Sequence, residues 1–546
     1  MNEKPLVSKM SENFKFYGGI SLLYGVLFTF CLYKNTSGIT FPILIIATIW
    51  AGIYFLKKIG FTLQKGSWIY FAGMVLLAVS TAFTTSAWLH FFNYVGILLL
   101  IAMYLMHEFY NDKEWEFFPY LMRMCILFGT FIISIIKPFE HFFRFLRGGK
   151  KKRTKSFYAV LIGIAFAIGL LAIILPLLLK ADAMFSKIFG DILKYINFKT
   201  IFLNLILIIL GIVLLYSGFA AICHYNFPED KEAKQKERFN PVVGITFTSV
   251  LAVIYMIFSV IQIVYVFVGV ESGLPVGETH ASYAREGFFE LVTVGIINFV
   301  LVLICMYFFK KSPVLKGILT LISACTFIMI ASAAYRMIYY VDEYHLTFLR
   351  AITLWFMVVL ALLMAGLIIR IFNNKLPLFQ YCVLVVGALY IAFSFARPDA
   401  IVAKYNVEHM ETIKEDDLEY MLSNRLSLDA APYIAKINPE KIDKDSDNID
   451  PEYKYREDYY YDDYYYNYDY NDNIYWMYNE DYVKARLYGY FYDLNEENDD
   501  IYFRKANFSR ILAKKVAMDY LKSHSADKKY WQRLYGYDDD YGDYEY

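Results

Sequence analysis

The sequence predicts an all-α fold: a polytopic transmembrane helix bundle of about 11–12 spans, followed by a C-terminal, mostly helical and partly disordered extracytoplasmic tail. The chain is 58% hydrophobic with a mean hydropathy of +0.38, although its formal net charge is zero. From Arg397 onward it holds 20 Lys and Arg against 34 Asp and Glu, a net charge of −14, and the preceding 396 residues carry +14. An apolar basic part followed by a polar acidic part is typical of a membrane domain with a water-facing tail.

Twelve apolar runs are candidates for membrane spans, because a bilayer core about 30 Å thick is crossed by about 20 apolar residues in a helix. Helices are predicted rather than a β-barrel, since the runs are continuously apolar and every backbone group in lipid must be paired. No cleavage pattern follows the first run, which is predicted as an uncleaved span. The runs are 16–33, 39–56, 67–84, 88–106, 120–138, 157–179, 200–222, 243–269, 288–309, 314–335, 347–372 and 378–395.

Charge divides the chain into four segments. They are N-terminal transmembrane helices (1–138), a basic cytoplasmic loop (139–156), a core transmembrane bundle (157–395) and an acidic, Tyr/Asp-rich extracytoplasmic tail (396–546). The positive-inside rule orients them, because eight Lys and Arg lie between Lys137 and Ser156 and three lysines lie in 310–317. The prediction is a multi-pass plasma-membrane protein with its N-terminus in the cytoplasm and its tail outside.

The number of crossings depends on the run 120–138. If all twelve runs cross, a cytoplasmic N-terminus would place the basic loop outside. Run 120–138 is the weakest, since Arg123 interrupts it and Pro119 and Pro138 border it. We expect it to lie along the inner surface with the amphipathic stretch Phe139–Leu146, which gives eleven crossings. Twelve crossings, with both termini on one side, is the alternative.

The tail is predicted to contain helices at Glu415–Ile437 and Asn507–Ser523. Between them, Tyr453–Tyr482 holds thirteen tyrosines among Asp and Asn, with few aliphatic residues to bury, so it is predicted to be flexible or only locally ordered. The aromatic and acidic groups of this segment could bind an envelope polymer or a protein partner. Sequence drift in an exposed low-complexity segment without a binding role is the simpler explanation. The lipid bilayer is the other expected partner, and the acidity of the tail argues against nucleic acid.

One polar cluster lies near the outer ends of neighbouring spans. Charged groups within a span are unfavourable, with a cost of roughly 2.5–3.5 kcal/mol at the helix centre, so they are expected to have partners or a function. Helical spacing puts Glu286, Glu290 and Asn298 on one face, and two carboxylates at this spacing repel unless a cation or proton intervenes. Either an Arg336–Glu290 ion pair ties two helices together, or the cluster is a protonatable or cation-binding site. Its members are Arg285, Glu286, Glu290, Asn298, Arg336, Asp342, Glu343 and Arg350.

No catalytic residue, cofactor or metal site is predicted. The sequence lacks the phosphate-binding loop, the zinc-protease motif and the serine-hydrolase motif. All six cysteines lie in or beside apolar runs and none forms a Cys-x-x-Cys pair, which argues against disulfides and thiolate zinc.

Several segments carry a family resemblance. They are ADAMF at 181–185, YAREGFFEL at 283–291, AAYRMIYYVDEYHLTFLR at 333–350, RPDAIVAKYN at 397–406, DLEYMLS at 417–423 and NFSR at 507–510. In these the chain resembles bacterial polytopic membrane proteins of the domain of unknown function 4173 / 4153 type. The resemblance implies a membrane core with an extracytoplasmic helical tail and supplies no activity.

Three functions are compatible with this sequence. A non-enzymatic role in envelope sensing, maintenance or scaffolding through the exported tail is the leading hypothesis. An ion- or proton-coupled transporter that uses Glu286, Glu290 and Arg336 is the second. An intramembrane enzyme acting on a lipid-linked substrate is the third.

Overall fold

The computed structural model is all-helical, as the sequence predicts. It describes residues 5–35, 37–110, 117–148, 198–224, 239–264, 288–373, 375–409, 415–423, 425–441, 480–497 and 503–535, with single positions 163, 166, 170, 174, 177 and 184. The membrane part contains α1 Pro5–Glu12, α2 Phe14–Leu32, α3 Thr40–Lys58, α4 Ser67–Phe83, α5 Ala87–Phe109, α6 Phe117–Ser134, α7 Lys137–Gly148, α8 Phe198–His224, α9 Pro241–Gln262, α10 Phe288–Phe308, α11 Pro313–Tyr344, α12 Phe348–Phe372 and α13 Leu378–Phe395. The tail contains α14 Pro398–His409, α15 Glu415–Leu422, α16 Ala431–Ile434, α17 Glu480–Glu497, α18 Phe508–Ser523 and α19 Lys528–Tyr535.

Ten helical stretches within the described residues are long and apolar enough to cross a membrane. They are α2, α3, α5, α6 continued into α7, and α8 to α13; α4 is equally apolar but has only 17 residues. Of the predicted run 157–179, five single positions are described and all are helical. The chain is therefore an integral, multi-pass membrane protein.

The chain divides into two compact units. Unit 1 consists of residues 1–75 and 98–234, and unit 2 of residues 76–97 and 235–546. In unit 1, α2 and α8 run antiparallel and touch through glycine. A Cβ atom on Gly25 would lie 2.5 Å from the carbonyl oxygen of Ile208, and one on Gly211 would lie 2.8 Å from Cα of Gly25. Small residues that let helix backbones meet are typical of packing in lipid.

One end of unit 1 gathers the start of α2 and the ends of α3 and α5. The Lys58 ammonium lies 3.2 Å above the Phe16 ring. In the connection after α3, the amide of Gln64 donates to Glu108 Oε2 at 3.1 Å. The termini of these helices therefore meet at a common level.

Helices α6 and α7 contact that same end of unit 1 at both of their extremities. Near the start of α6, the Arg123 guanidinium lies 4.7 Å from the centre of the Tyr110 ring, directly after α5. In α7, the Phe145 ring lies 5.4 Å from the ring of Phe14, the first residue of α2. The predicted amphipathic stretch Phe139–Leu146 is helical and falls within α7.

In unit 2, the long helix α11 separates a basic end from the tail. Its 32 residues make it about 48 Å long. Lys310 and Lys311 directly precede it. At its other end, His345 Nε2 lies 3.3 Å from Asp417 Oδ2, and the amide of Leu346 donates to Asn406 Oδ1 at 2.9 Å.

The tail follows the predicted pattern in one helix and departs from it in another. Helix α18 begins after Asn507 and ends at Ser523, as predicted. The predicted continuous helix Glu415–Ile437 is wrong, since α15 ends at Leu422 and α16 spans only four residues. Pro432 has no amide hydrogen, and the Ser427 amide donates to Asp399 Oδ2 at 3.2 Å instead of to a helical carbonyl. Much of the tyrosine-rich tract lies outside the described residues.

Candidate functional site

The tip of the α4–α5 hairpin is a short polar turn buried under the tail. Thr84 and Ser86 are both buried, although they connect two apolar helices and would otherwise face water. Within the turn, the Ser86 amide donates to Thr84 Oγ1 at 3.1 Å. Buried hydroxyl groups need hydrogen-bond partners, so the remaining partners of this turn must come from elsewhere in unit 2.

Tail residues supply those partners. Thr84 Oγ1 donates to Asp429 Oδ2 at 2.5 Å, and Ser509 Oγ contacts Asp429 Oδ1 on the other side of the same carboxylate. Asn507 Nδ2 donates to the carbonyl oxygen of Thr84 at 2.8 Å, and the Leu428 amide donates to Thr85 Oγ1 at 3.0 Å. We call Thr84, Thr85, Asp429, Asn507 and Ser509 the tail clasp.

Local structure explains why these residues can reach the tip. Asn507 is the N-cap of α18, and its Oδ1 accepts from the Arg510 amide at 3.3 Å. Its Nδ2 remains available for the hairpin carbonyl. Asp429 lies in the 3₁₀ turn Leu428–Ala430, which aims its carboxylate at Thr84. The start of one helix and one tight turn therefore hold the clasp.

A second buried carboxylate lies beside the clasp. Asp399, in the first turn of α14, is only 2% exposed. Burial raises the pKa of Asp399 above its ordinary value, the negative charge of Asp429 adds to this, and hydrogen bonding from Ser427 opposes it. Burial also lowers the pKa of the Arg510 guanidinium. The site thus disfavours additional charge.

Beneath the clasp, a hydrogen-bonded network joins α4, α5 and α13. Asn93 Nδ2 donates to Ser80 Oγ and Thr81 Oγ1, both at 3.0 Å. Tyr390 OH donates to Asn93 Oδ1 at 2.9 Å, and Ser394 Oγ lies 3.1 Å from Ser80 Oγ. This network ties the hairpin that carries the clasp to the last membrane helix before the tail.

The polar groups of the clasp form hydrogen bonds with one another, and these bonds join the hairpin tip to the tail. Within the described part of the chain, no group of three or more His, Cys, Asp or Glu side chains is placed to hold a metal ion. What the geometry achieves is attachment of the tail to the membrane helices.

The sequence-predicted polar cluster is only partly described. Arg285 and Glu286 lie outside the described residues, as does the side chain of Glu343. Glu290 is exposed in the first turn of α10. Asp342 accepts a hydrogen bond from Tyr405 OH at 3.2 Å. The use of this polar cluster as a functional site stays a prediction.

The remaining members of the cluster form structural contacts. Arg336 is 9% exposed, and its Nη2 donates to Gln262 Oε1 at 3.3 Å, an oxygen that Ser332 also reaches at 2.5 Å. Asn298 Nδ2 donates to Thr326 Oγ1 at 2.9 Å. Among the described contacts no ion pair joins Arg336 to Glu290, so Arg336 packs in the seam between α9 and α11.

Arg350 caps the end of α11. It donates to the carbonyl oxygen of Tyr344 at 2.5 Å, contacts that of His345, and lies 4.3 Å from the centre of the Tyr340 ring. Cations near the C-terminus of a helix are favourable, so this residue has a clear structural role.

Sequence reasoning missed the residues of the clasp as a site. A signal existed in the NFSR segment, where Asn507 and Ser509 flank the start of a helix. Their partners Thr84 and Asp429 are 345 positions apart, and only the fold brings them together.

Comparison with known proteins gives one match. A family model described as a domain of unknown function (DUF4153) matches residues 71–437, which include the hairpin tip, Asp399 and Asp429. No curated protein and no solved structure matches the chain.

Proposed function

This chain belongs to the DUF4153 family, a domain of unknown function, and we propose that it acts without catalysis, as a bacterial plasma-membrane scaffold or sensor whose tail engages the cell envelope. The tail clasp is the observation that carries the proposal. A hydrogen bond to a charged group contributes about 1.5–3 kcal/mol, and Asp429 receives two of them. A tail held this firmly can pass a load or a binding event to the membrane helices.

The path for such coupling is continuous in unit 2. Thr84 of the clasp lies one turn from Ser80 and Thr81, which bond to Asn93 of α5. Tyr390 and Ser394 extend the network to α13, and α13 leads directly into the tail. Displacement of the tail would therefore strain α4, α5 and α13 together.

The orientation follows from the lysines. Lys310, Lys311 and Lys316 lie at the end of α11 opposite the tail contacts. Because positive residues are retained in the cytoplasm, we assign this end to the cytoplasm and the tail to the outside.

The same reasoning favours eleven crossings. Both extremities of α6 and α7 contact the end of unit 1 at which α2 begins, which supports the proposal that α6 runs along that end instead of crossing. The exposed phenyl rings of α7 then enter the lipid interface, as in other amphipathic interfacial helices. Four rings take part: Phe139, Phe142, Phe143 and Phe145.

The proposed partner of the tail is an envelope polymer or an envelope protein. The Trp531 ring lies 4.6 Å from the ring of Tyr492 and 5.8 Å from that of Tyr488, which forms an aromatic cluster on α17 and α19. Aromatic faces of this kind bind through large contact areas at low entropic cost. The acidic charge of the tail suits a partner with basic groups or bound cations.

A complementation experiment tests the proposal. Cells lacking the gene receive the full chain, a chain ending at residue 397, or the clasp variants Thr84→Val and Ser509→Ala, and sensitivity to envelope-directed antibiotics and osmotic shock is measured. We expect the truncated chain to fail and the clasp variants to be impaired at equal membrane abundance. Lys515→Gln, at an exposed position of α18, is the control. Full complementation by the truncated chain would refute the proposed role.

A further inference from the structure

At the end of unit 2 opposite the tail, a small open cleft of about 50 Å³ lies beside α10, α11 and α12. Its rim is cationic, with Lys310, Lys311 and Lys316, and Ser312 lies among them. Its wall is apolar and includes Leu319 and Ile371.

Within the described part of the chain, the cationic rim has no counter-charge. None of its three lysines forms an ion pair with any described residue. The sequence contains no Asp or Glu between Leu291 and Val341, or between Tyr344 and Pro398. Three positive charges therefore surround one cleft without a carboxylate from the helices that form it.

The backbone that carries these lysines is fixed. The Phe239 amide donates to the carbonyl oxygen of Phe308 at 2.8 Å, and the Lys310 amide donates to that of Phe239 at 3.1 Å. This short bridge joins the residues before α9 to the end of α10. A fixed backbone lowers the entropic cost of holding a ligand.

We propose that this cleft binds the phosphate-bearing headgroup of an anionic phospholipid, with the acyl chains lying along the apolar wall. Its position at the ends of membrane helices places the lysines at the depth of headgroups, and its wall matches the chains. Basic pockets between membrane helices commonly recognise such lipids. Free inorganic phosphate shares the chemistry of the headgroup but gains nothing from the apolar wall.

Native mass spectrometry of the full chain in detergent tests the site. The protein is titrated with short-chain phosphatidylglycerol, with short-chain phosphatidylcholine and, separately, with inorganic phosphate. The variant carries Lys310→Gln, Lys311→Gln and Lys316→Gln. The control removes the same charge from the tail through Lys515→Gln, Lys522→Gln and Lys529→Gln. A single Lys316→Gln variant serves if the triple variant fails to fold.

We expect phosphatidylglycerol to bind the parent and the tail control alike, and the cleft variant on the order of 100-fold more weakly, since each lysine near a headgroup contributes about 1 kcal/mol. Lys316→Gln alone should weaken binding about 5-fold. Equal affinity in the cleft and tail variants, or equal binding of phosphatidylcholine, would overturn the site. Inorganic phosphate binding as tightly as the lipid would overturn the assignment to a membrane lipid.

Discussion

Thr84→Val removes one donor from the buried carboxylate of Asp429 with little change in side-chain shape. Thr84 is 0% exposed and Asp429 is 2% exposed, so water cannot replace the lost hydrogen bond. The bond is 2.5 Å long and its acceptor is a carboxylate. Hydrogen bonds to charged groups contribute about 1.5–3 kcal/mol. We expect Thr84→Val to weaken docking of the tail by about 2 kcal/mol, which is about 30-fold in the undocking equilibrium.

Asp429→Ala sharpens this prediction through a double-mutant cycle. It removes both hydrogen bonds of the carboxylate, so the expected loss is about 4 kcal/mol. In the Asp429→Ala background, Thr84→Val has no carboxylate contact left to remove and costs only the hydrogen bond that Thr84 Oγ1 accepts from the Ser86 amide. The loss in the double variant should therefore fall short of the sum of the two single losses. The coupling energy between the two positions is therefore about 2 kcal/mol.

A fluorophore on the tail measures this undocking during a urea titration of the purified protein in detergent. Met518 is 47% exposed on α18 and can be replaced by cysteine for labelling. Cys125 is the exposed one of the six cysteines and is first replaced by serine. Additive effects of Thr84→Val and Asp429→Ala, or losses below about 0.5 kcal/mol, would refute the clasp as the docking contact.

Three further predictions concern packing, pH and the Arg336 seam. Gly211→Ala should lower the free energy of unfolding by about 1–3 kcal/mol through overpacking, and with it the thermal midpoint. Gly218→Ala should not, because a Cβ atom there would meet no other atom within 4 Å; equal midpoints for the two variants would contradict the glycine contact. The pKa of Asp399 is raised above its ordinary 3.8 in the folded chain, so its contribution is fully present below pH 3.8 and lost as pH rises through the raised pKa. Asp399→Asn should therefore stabilise docking more at pH 8 than at pH 4, and a constant difference in urea midpoint would count against this. Gln262→Leu should lower the free energy of unfolding by about 2 kcal/mol, because it removes the oxygen to which Ser332 and Arg336 both donate, while Glu290→Gln should leave the thermal midpoint unchanged. A loss of stability in Glu290→Gln and none in Gln262→Leu would disprove the seam.

Hydrophobicity made the membrane helices predictable from the sequence. Lipid requires long apolar runs, and most of the described helices follow those runs within a few residues, whereas α11 continues nine residues beyond its run, to Tyr344. The start of α18 was also predictable, because Asn507 carries its own capping signal. The same local reasoning failed for Glu415–Ile437, where the Ser427 amide prefers a tertiary partner, Asp399, to a helical one.

The candidate site depended on contacts that no local pattern reveals. Charge at membrane depth drew attention to Arg336 and Glu290, yet Arg336 bonds to the uncharged Gln262 of another helix. The clasp uses Thr, Ser and Asn, which are common at turns and helix ends and so carry little signal by themselves. Its one carboxylate, Asp429, is distinguished only by burial, which the sequence does not report.

Thiol cross-linking across the tail clasp measures the docking of the tail directly. Phe83 and Phe508 are 40% and 47% exposed, and their rings lie 5.4 Å apart beside the clasp, so cysteines at these two positions should be joined by a short bifunctional thiol reagent in native membranes. A specific protease site introduced within residues 442–479 then reports the link, because the two fragments stay together only if cross-linked. Phe83→Cys with Met518→Cys, at a 47% exposed position further along α18, is the control pair. Efficient linking of the first pair and not the second is the predicted result; separation of the fragments in both pairs would contradict docking of the tail.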